Sequence, residues 1–446
     1  MPLVDVIAAI ATAPGTGGVG IVRVSGPDLV GFAERIARKT PLPRRVYSAD
    51  FRAEDGSLID RGLLIYFQAP KSFTGEDVLE LHGHGGQVLM QLLLARTLEL
   101  GARLAEPGEF SRRAFLNDKM DLAQAEAVAD LISATTTAAA RSAVRSLSGD
   151  FSLAVRELTK KVIELRMLIE ATLDFPDEEI DLISDTNAVE RLTDIRARLS
   201  DLLSRAKQGS ILRSGLRVVL AGLPNVGKSS LLNRLAGQER ALVTAIAGTT
   251  RDAIKEIIQI EGIPLHITDT AGLRQSEDPV EQLGMARTWL EIEGADLILQ
   301  IIDARAGLTE ADRELVSRLP TGVKRLLIAN KLDLTDGTPN RQIVEGVPLI
   351  SLSAQTGAGI DLLRTELLHV AGWTGAGEDV ILARERHLVA LRLAAEKLVQ
   401  AQERLGQVEF CADELRLAQA ALSEITGEFS ADDLLGEIFS RFCIGK

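Results

Sequence analysis

The sequence predicts a multidomain protein of α/β and α+β class: an α+β domain at the N-terminus, then a discontinuous helical domain into which an α/β nucleotide-binding domain is inserted. Three observations predict it. Residues 222–229 read Gly-Leu-Pro-Asn-Val-Gly-Lys-Ser and fit G-x-x-x-x-G-K-[ST], with the strand-type run Arg217–Ala221 before them and a helical stretch, Ser230–Leu235, after them. Sequence with helical spacing lies on both sides of that region, at 121–207 and from Arg384 onward. Residues 1–118 instead alternate short β-type runs with turn-rich pieces. The boundaries that follow are 1–118 for the first domain, 119–210 with 376–446 for the helical domain, and 211–375 for the insert.

In the first domain the β-type runs are Gly20–Val24 and Gly62–Phe67, and a helix covers Gln87–Leu100. Two glycine-rich segments, Gly15–Gly20 and Gly83–Gly86, read as tight-turn packing, beside SFTGED at 72–77. From Asp121 the Ala-rich sequence is helical as far as Leu147, and apolar residues recur at helical spacing over Phe151–Leu173. Pro176 interrupts, and another helix runs to about Lys207. The two helical sets, 121–210 and 380–446, are expected to pack together, because neither buries its apolar face alone.

At 446 residues, with 46% hydrophobic and 25% charged residues, the composition is that of soluble globular protein. No apolar run reaches membrane-spanning length and the N-terminus lacks the basic start of a signal peptide, so the expectation is a cytoplasmic protein with no membrane partner. Cys411 and Cys443 are the two cysteines, with neither disulfide nor zinc spacing. A net charge of −13 excludes tight general binding of nucleic acid, so any RNA contact is local. The pairs Arg44–Arg45 and Arg112–Arg113 read as solvated surface charge.

The motif at 222–229 has the chemistry of a phosphate-binding loop. Gly222 and Gly227 leave room for backbone N–H groups to approach polyphosphate, Lys228 reaches the terminal phosphates and Ser229 holds Mg²⁺. Asn225, Val226 and Ser230 complete that stretch. Downstream, Gly248-Thr249-Thr250-Arg251-Asp252 reads as a switch whose Thr250 ligates Mg²⁺. In Asp269-Thr270-Ala271-Gly272, Asp269 acts on the metal through water and the Gly272 amide faces the γ-phosphate. In Asn330-Lys331-Leu332-Asp333, Asp333 accepts the two guanine protons that adenine cannot offer, and Ser353-Ala354 completes the base pocket. These elements stand in the order of a GTP-binding domain, each at the end of a strand-type run. Ras-like enzymes carry a water-orienting Gln after D-x-x-G; Leu273 stands there and cannot do that work.

With these motifs the chain resembles the MnmE (TrmE) family over nearly its whole length. The resemblance rests on Asp5–Gly26, Gly75–Gly86, Pro107–Leu122, GLPNVGKS, GTTRD, DTAGLR, NKLD and the ending Phe442-Cys443-Ile444-Gly445-Lys446. It implies a T-protein-like tetrahydrofolate-binding N-terminal domain that also forms a homodimer, with a 5-formyl-tetrahydrofolate or related folate held at Arg23, Glu80, Lys119 and Lys446. It implies a Ras-like P-loop GTPase activated by K⁺, with Asn225, Thr244, Ile246 and Thr249 as ligands, the loop continuing through Ala245, Ala247 and Gly248. Ala245 departs from the Asp common in relatives, which removes any dimer salt bridge from that position. Glu281 is the implied catalytic carboxylate in place of the missing Gln. The implied reaction places an aminomethyl or carboxymethylaminomethyl group on carbon 5 of the wobble uridine of certain tRNAs, together with MnmG, an FAD- and NADH-using partner. Cys443 is a candidate for the transfer chemistry, since the cation of Lys446 favours thiolate. The alternative is a regulatory GTP-binding switch such as a ribosome-assembly factor, in which the folate-type block and Cys443 have no purpose.

Overall fold

The computed structural model describes residues 5–174, 187–237, 255–269, 293–317, 319–320, 322–375, 380–428, 438–440, 442 and 445. They form two compact units, one of residues 1–129 with 419–446 and the other of residues 130–418.

The first unit is built on a six-stranded sheet. Its strands are β1 (Ile7–Ile10), β2 (Gly17–Gly26), β3 (Val46–Arg52), β4 (Leu58–Phe67), β5 (Asp77–Gly85) and β6 (Arg103–Leu104), in the order β3-β4-β5-β2-β1-β6. All neighbours are antiparallel except β1 and β6. Period-two alternation sends Val22, Val24, Leu79 and Leu81 into a core with Phe32 and Ile36 of helix α1 (Val30–Ala37) and Leu93 of α2 (Gln87–Glu99). The cross-strand neighbours Arg23 and Glu80 therefore fall on the other face. Phe110 of α3 (Glu109–Leu116) covers part of that face with Ile7 and Ala9. The two glycine-rich segments pair with one another, Gly17 with Gly85 and Gly20 with Gly83. They serve close packing in the sheet: a Cβ on Gly20 would lie 2.4 Å from Met90 Sδ.

Arg113 corrects the reading of surface charge. Its side chain is 0% exposed and is held by Asp5 Oδ1 at 2.9 Å, Glu109 Oε1 at 3.0 Å and Glu76 Oε2 at 3.1 Å. Arg103 pairs with Asp5 and Glu109 from outside, each at 2.5 Å. A guanidinium removed from water requires such partners, so this cluster fastens the N-terminal strand, the 72–77 loop and α3 together. The C-terminal segment also joins this unit: Ile438, Phe439 and Phe442 pack on Leu122, Ala125 and Phe115.

The second unit has a helical part and a second sheet; the first and last helices of the helical part cross the division, their residues 122–129 and 419–426 belonging to the first unit. The helical run from Asp121 is broken into α4 (Leu122–Ser133) and α5 (Thr137–Ser148), because Thr136 Oγ1 accepts the Ala139 N–H and caps a new helix. Helix α6 spans Asp150–Asp174 and α7 spans Ala188–Ser214, past the expected end at Lys207, until Gly215 at φ 66° stops it. After the insert comes α11 (Glu385–Glu403), packed on α7, and then α12 (Val408–Thr426). Asp130 accepts from Arg213 at 2.9 Å and Arg384 at 2.7 Å, and Val380 O accepts from Ser142 Oγ at 3.0 Å and Arg145 Nη2 at 2.9 Å. The chain thus enters and leaves the inserted sheet at one place, the arrangement under which insertions are tolerated.

That sheet has seven strands: β7 (Leu216–Ala221), β8 (Lys255–Ile260), β9 (Ile263–Asp269), β10 (Leu297–Asp303), β11 (Lys324–Asn330), β12 (Asn340–Val344) and β13 (Val347–Ser351). The order is β12-β13-β11-β10-β7-β9-β8, with five parallel strands between antiparallel edges. Both faces are buried, so β10 and β11 read as continuous apolar runs. Among the described residues, the insert also contains helices α8 (Lys228–Ala236), α9 (Glu310–Ser317) and α10 (Ile360–Ala371). Parallel pairing aligns Asp303 with Asn330, Leu220 with Asp269, and Ala329 with Ser351, so the strands present their carboxyl ends together.

Candidate functional site

The phosphate loop runs from the end of β7 to the start of α8. Asn225 and Gly227 take left-handed backbone at φ 65° and 96°. A Cβ on Gly227 would lie 2.3 Å from Asn330 Nδ2, so glycine is required there by conformation and by space. Lys228 Nζ donates to Gly222 O at 2.7 Å and Leu223 O at 3.3 Å, which holds its ammonium over the loop. Val226 is buried, while Asn225, Ser229 and Ser230 are exposed. The first-turn amides of α8, which have no partner within the helix, and a held lysine make an anion-binding arrangement.

The base-side residues meet this loop through Asn330. Its side chain is buried, donates from Nδ2 to Val226 O at 2.9 Å and accepts the Ala354 N–H on Oδ1 at 2.9 Å. Ser353 Oγ donates to Asp333 Oδ1 at 2.5 Å, and Thr356 N donates to Ser353 Oγ at 3.1 Å. One amide thus fastens the phosphate loop to the Ser353–Ala354 segment, while Asp333 keeps acceptor capacity for a paired set of donors. Lys331 Nζ lies 3.0 Å from Asp303 Oδ2. Hydrogen bonds from Arg305 and then Lys331, against the opposing pull of burial, hold the Asp303 carboxyl well below the usual carboxylate range. The sequence reading missed Asp303. Its signal was available: like Asp269 and Asn330, it is a polar residue closing an apolar strand.

In the first unit, Arg23 Nε donates to Glu80 Oε1 at 3.1 Å, and His82 Nε2 lies 3.0 Å from Glu80 Oε2. The Arg23 guanidinium stands over the rings of Phe73 and Phe110, at 5.5 and 5.8 Å from their centroids. His82, Phe73 and Phe110 were not singled out from sequence. Lys119 packs over Gly75, where a Cβ would lie 3.1 Å from Lys119 Cγ. The 72–77 loop lies between these groups, with Ser25 Oγ 2.7 Å from Thr74 Oγ1 and Asn117 Nδ2 donating to Thr74 O at 2.8 Å. The tail reaches the same sheet: a Cβ on Gly445 would lie 2.4 Å from Ile10 O. Burial pushes the Cys411 thiol up to about 11, so that cysteine is inert.

Thr244, Ala245, Ile246, Ala247, Gly248, Thr249, Thr250, Thr270, Ala271, Gly272, Glu281, Cys443 and Lys446 lie outside the described residues. Asp269 closes β9 level with Leu220, beside the start of the phosphate loop.

A protein of Dechloromonas aromatica (strain RCB) named tRNA modification GTPase MnmE is 62% identical over 445 residues, covering 99% of this chain and 99% of its own. The chain belongs to the MnmE family. A family model described as MnmE helical domain matches residues 122–443, and one described as GTP-binding protein TrmE N-terminus matches residues 6–119. A second tRNA modification GTPase MnmE, from Azoarcus sp. (strain BH72), is 61% identical over 443 residues, covering 99% of this chain and 98% of its own. Membership in the MnmE family accounts for a P-loop sheet placed inside a helical domain and preceded by a TrmE-type N-terminal domain. No described helix is long and apolar enough to cross a membrane.

Proposed function

We propose that this tRNA-modification GTPase of the MnmE family is K⁺-activated and Mg²⁺-dependent. With an FAD-dependent MnmG-type partner, it would take part in adding an aminomethyl or carboxymethylaminomethyl group to carbon 5 of the wobble uridine of certain tRNAs. The observation that carries the GTPase reading is the single amide of Asn330 that joins the phosphate loop at Val226 to the base-side loop at Ala354. Phosphate and guanine sites are thereby set at a fixed spacing. Lys228 and the amides at the start of α8 bind the phosphates, and Asp333 accepts the paired guanine donors.

The donor set fits the two cations. The exposed Ser229 hydroxyl stands at the first turn of α8, where it would hold Mg²⁺ with Thr250 and, through water, Asp269. The left-handed backbone of Asn225 presents an exposed amide side chain of the kind K⁺ takes, and Thr244, Ile246 and Thr249 would supply the other ligands. K⁺ bound by these residues would supply positive charge at the phosphates in place of an arginine finger, and Glu281 would orient water in place of the missing Gln. Around Glu80, a carboxylate with an imidazole and two aromatic rings nearby suits a folate ring that carries N–H donors, and Arg23, Lys119 and Lys446 suit its carboxylate tail. Homodimerisation through the N-terminal domain and a cytoplasmic site of action follow from the family reading, and Cys443 serves the transfer step.

The test is GTP turnover in K⁺ and in Na⁺ at matched ionic strength, with Asn225→Ala beside the parent. Faster turnover in K⁺ that disappears in the variant is expected; equal rates in both salts would remove the potassium reading. Nucleoside analysis of tRNA from cells lacking the protein tests the modification, which must lose its substituted wobble uridine.

A further inference from the structure

Helix α8 carries the phosphate-binding residues at its start, and six residues after Lys228, about 9 Å along the axis, it presents Arg234. The half-buried Arg234 side chain turns toward the base side of the site. Its Nε donates to Ala354 O at 2.9 Å and its Nη2 donates to Gln355 O. The 353–355 segment is therefore gripped from three directions: Ser353 by Asp333, the Ala354 amide by Asn330, and the two carbonyls by the guanidinium.

We infer that Arg234 is a positioning residue for nucleotide retention, tying the helix that binds the phosphates to the loop that closes over the base. The inference rests on the GTPase reading above. Planar recognition by two N–H groups of adjacent carbonyls is a geometry that lysine reproduces only in part. Without it, the 354–355 carbonyls keep Asn330 as their nearest restraint through Ala354, and the loop opens more often. Opening frees the base side of bound nucleotide, so the effect falls on dissociation. A capping role confined to stability would lower melting temperature and leave the dissociation rate alone.

The experiment uses the full-length protein loaded with a fluorescent GDP analogue and chased with excess GDP. Arg234→Ala is expected to release the analogue about tenfold faster, as for the loss of charge-assisted hydrogen bonds, with the association rate within about twofold of the parent. Arg234→Lys is expected to fall between the two, and KM for GTP to rise by more than kcat changes. If Arg234→Ala does not fold, the lysine variant alone decides, since it keeps the charge and removes the two-pronged contact. Parent-like dissociation from whichever variant folds overturns the inference, as does a lowered melting temperature with unchanged release. Failure of the parent to bind the analogue overturns the GTPase reading as well, which separates the two.

Discussion

The first unit, with its six-stranded sheet, and the insert, with its seven-stranded sheet, both rely on glycines and charged or polar side chains, and they use them in opposite ways. In the first, Gly20 gives way to Met90, and Arg113 is consumed by Asp5, Glu76 and Glu109 with no exposure left. In the insert, Gly227 gives way to Asn330, but Asn225, Ser229 and Ser230 remain exposed around the turn. Glycine content alone does not separate a packed sheet from a ligand loop. What separates them is a strand that runs directly into a helix, with left-handed backbone between and polar side chains that stay exposed.

The largest effect should come from an open group of the insert. Asp333→Asn is expected to reduce preference for guanine over xanthine nucleotide by about 10⁴-fold, since a site built around paired hydrogen bonds rejects the mismatched partner strongly. Competition binding of GTP and XTP measures it. Retained guanine preference would mean that the base is recognised elsewhere.

A closed group of the first unit should show the reverse pattern. Arg113→Met leaves the buried Glu109 and the partly buried Glu76 short of a cation and is expected to cost about 3 kcal/mol in that unit, with nucleotide binding by the insert unaltered. Hydrogen exchange of residues 5–116, read beside GDP affinity, separates the two. Loss of GDP affinity in step with the exchange would erase the contrast between the sheets.

The sequence made the insert legible because its signals are local. Strand, turn, helix start and motif lie within a few residues, and strands such as Leu297–Asp303 appear where the apolar runs place them. The first unit was less legible because its logic is distant. Arg113 meets Asp5 across 108 positions and Glu76 across 37, so an adjacent Arg-Arg pair gave no sign of burial. Arg234 escaped notice for the same reason, its carbonyl partners lying 120 and 121 positions away. Strand β5 was hidden because its alternation, Leu79 and Leu81 inward with Glu80 and His82 on the other side, runs into glycines that read as a turn. The break between α4 and α5 turned on which of three consecutive threonines becomes a cap, a choice that spacing of apolar residues does not make.

Acid should sharpen the comparison more gently than Arg113→Met. Burial pushes the Glu109 carboxyl up, but hydrogen bonds from Arg103, the Glu106 N–H and Arg113 outweigh it and leave it below its ordinary value. Asp5 is lowered in the same manner, burial opposing and Arg103 and Arg113 prevailing. Lowered carboxylates contribute stability that is fully present above the unfolded values, near pH 4, and is lost as pH falls through the folded ones. Denaturant midpoints of the first unit are therefore expected to be flat from about pH 7 to 5 and to fall below about pH 4, with a smaller fall in Arg113→Met. An equal acid response in parent and variant would mean that the cluster does not set it.

The smallest effect belongs to a residue between the packed cluster and the proposed folate site. Asn117 donates from Nδ2 to Thr74 O at 2.8 Å, and its Cβ lies 2.9 Å from where a Gly75 Cβ would stand. Thr74 in turn meets Ser25 on β2, two residues from Arg23, while Gly75 lies under Lys119. Asn117→Ala removes one neutral hydrogen bond at an exposed position, so it is expected to cost about 1 kcal/mol in the first unit. The loop it fastens separates two of the proposed folate ligands, so the same substitution should weaken binding of 5-formyl-tetrahydrofolate about fivefold, which is the same free energy read as affinity. GTP turnover should not respond, because Asn117 belongs to the first unit and the phosphate loop to the second. Titration calorimetry with the folate, beside a turnover assay, gives both numbers. A folate affinity equal to that of the parent, with the stability loss present, would show that the 72–77 loop is fastened for packing alone, and the first unit would then be closed throughout.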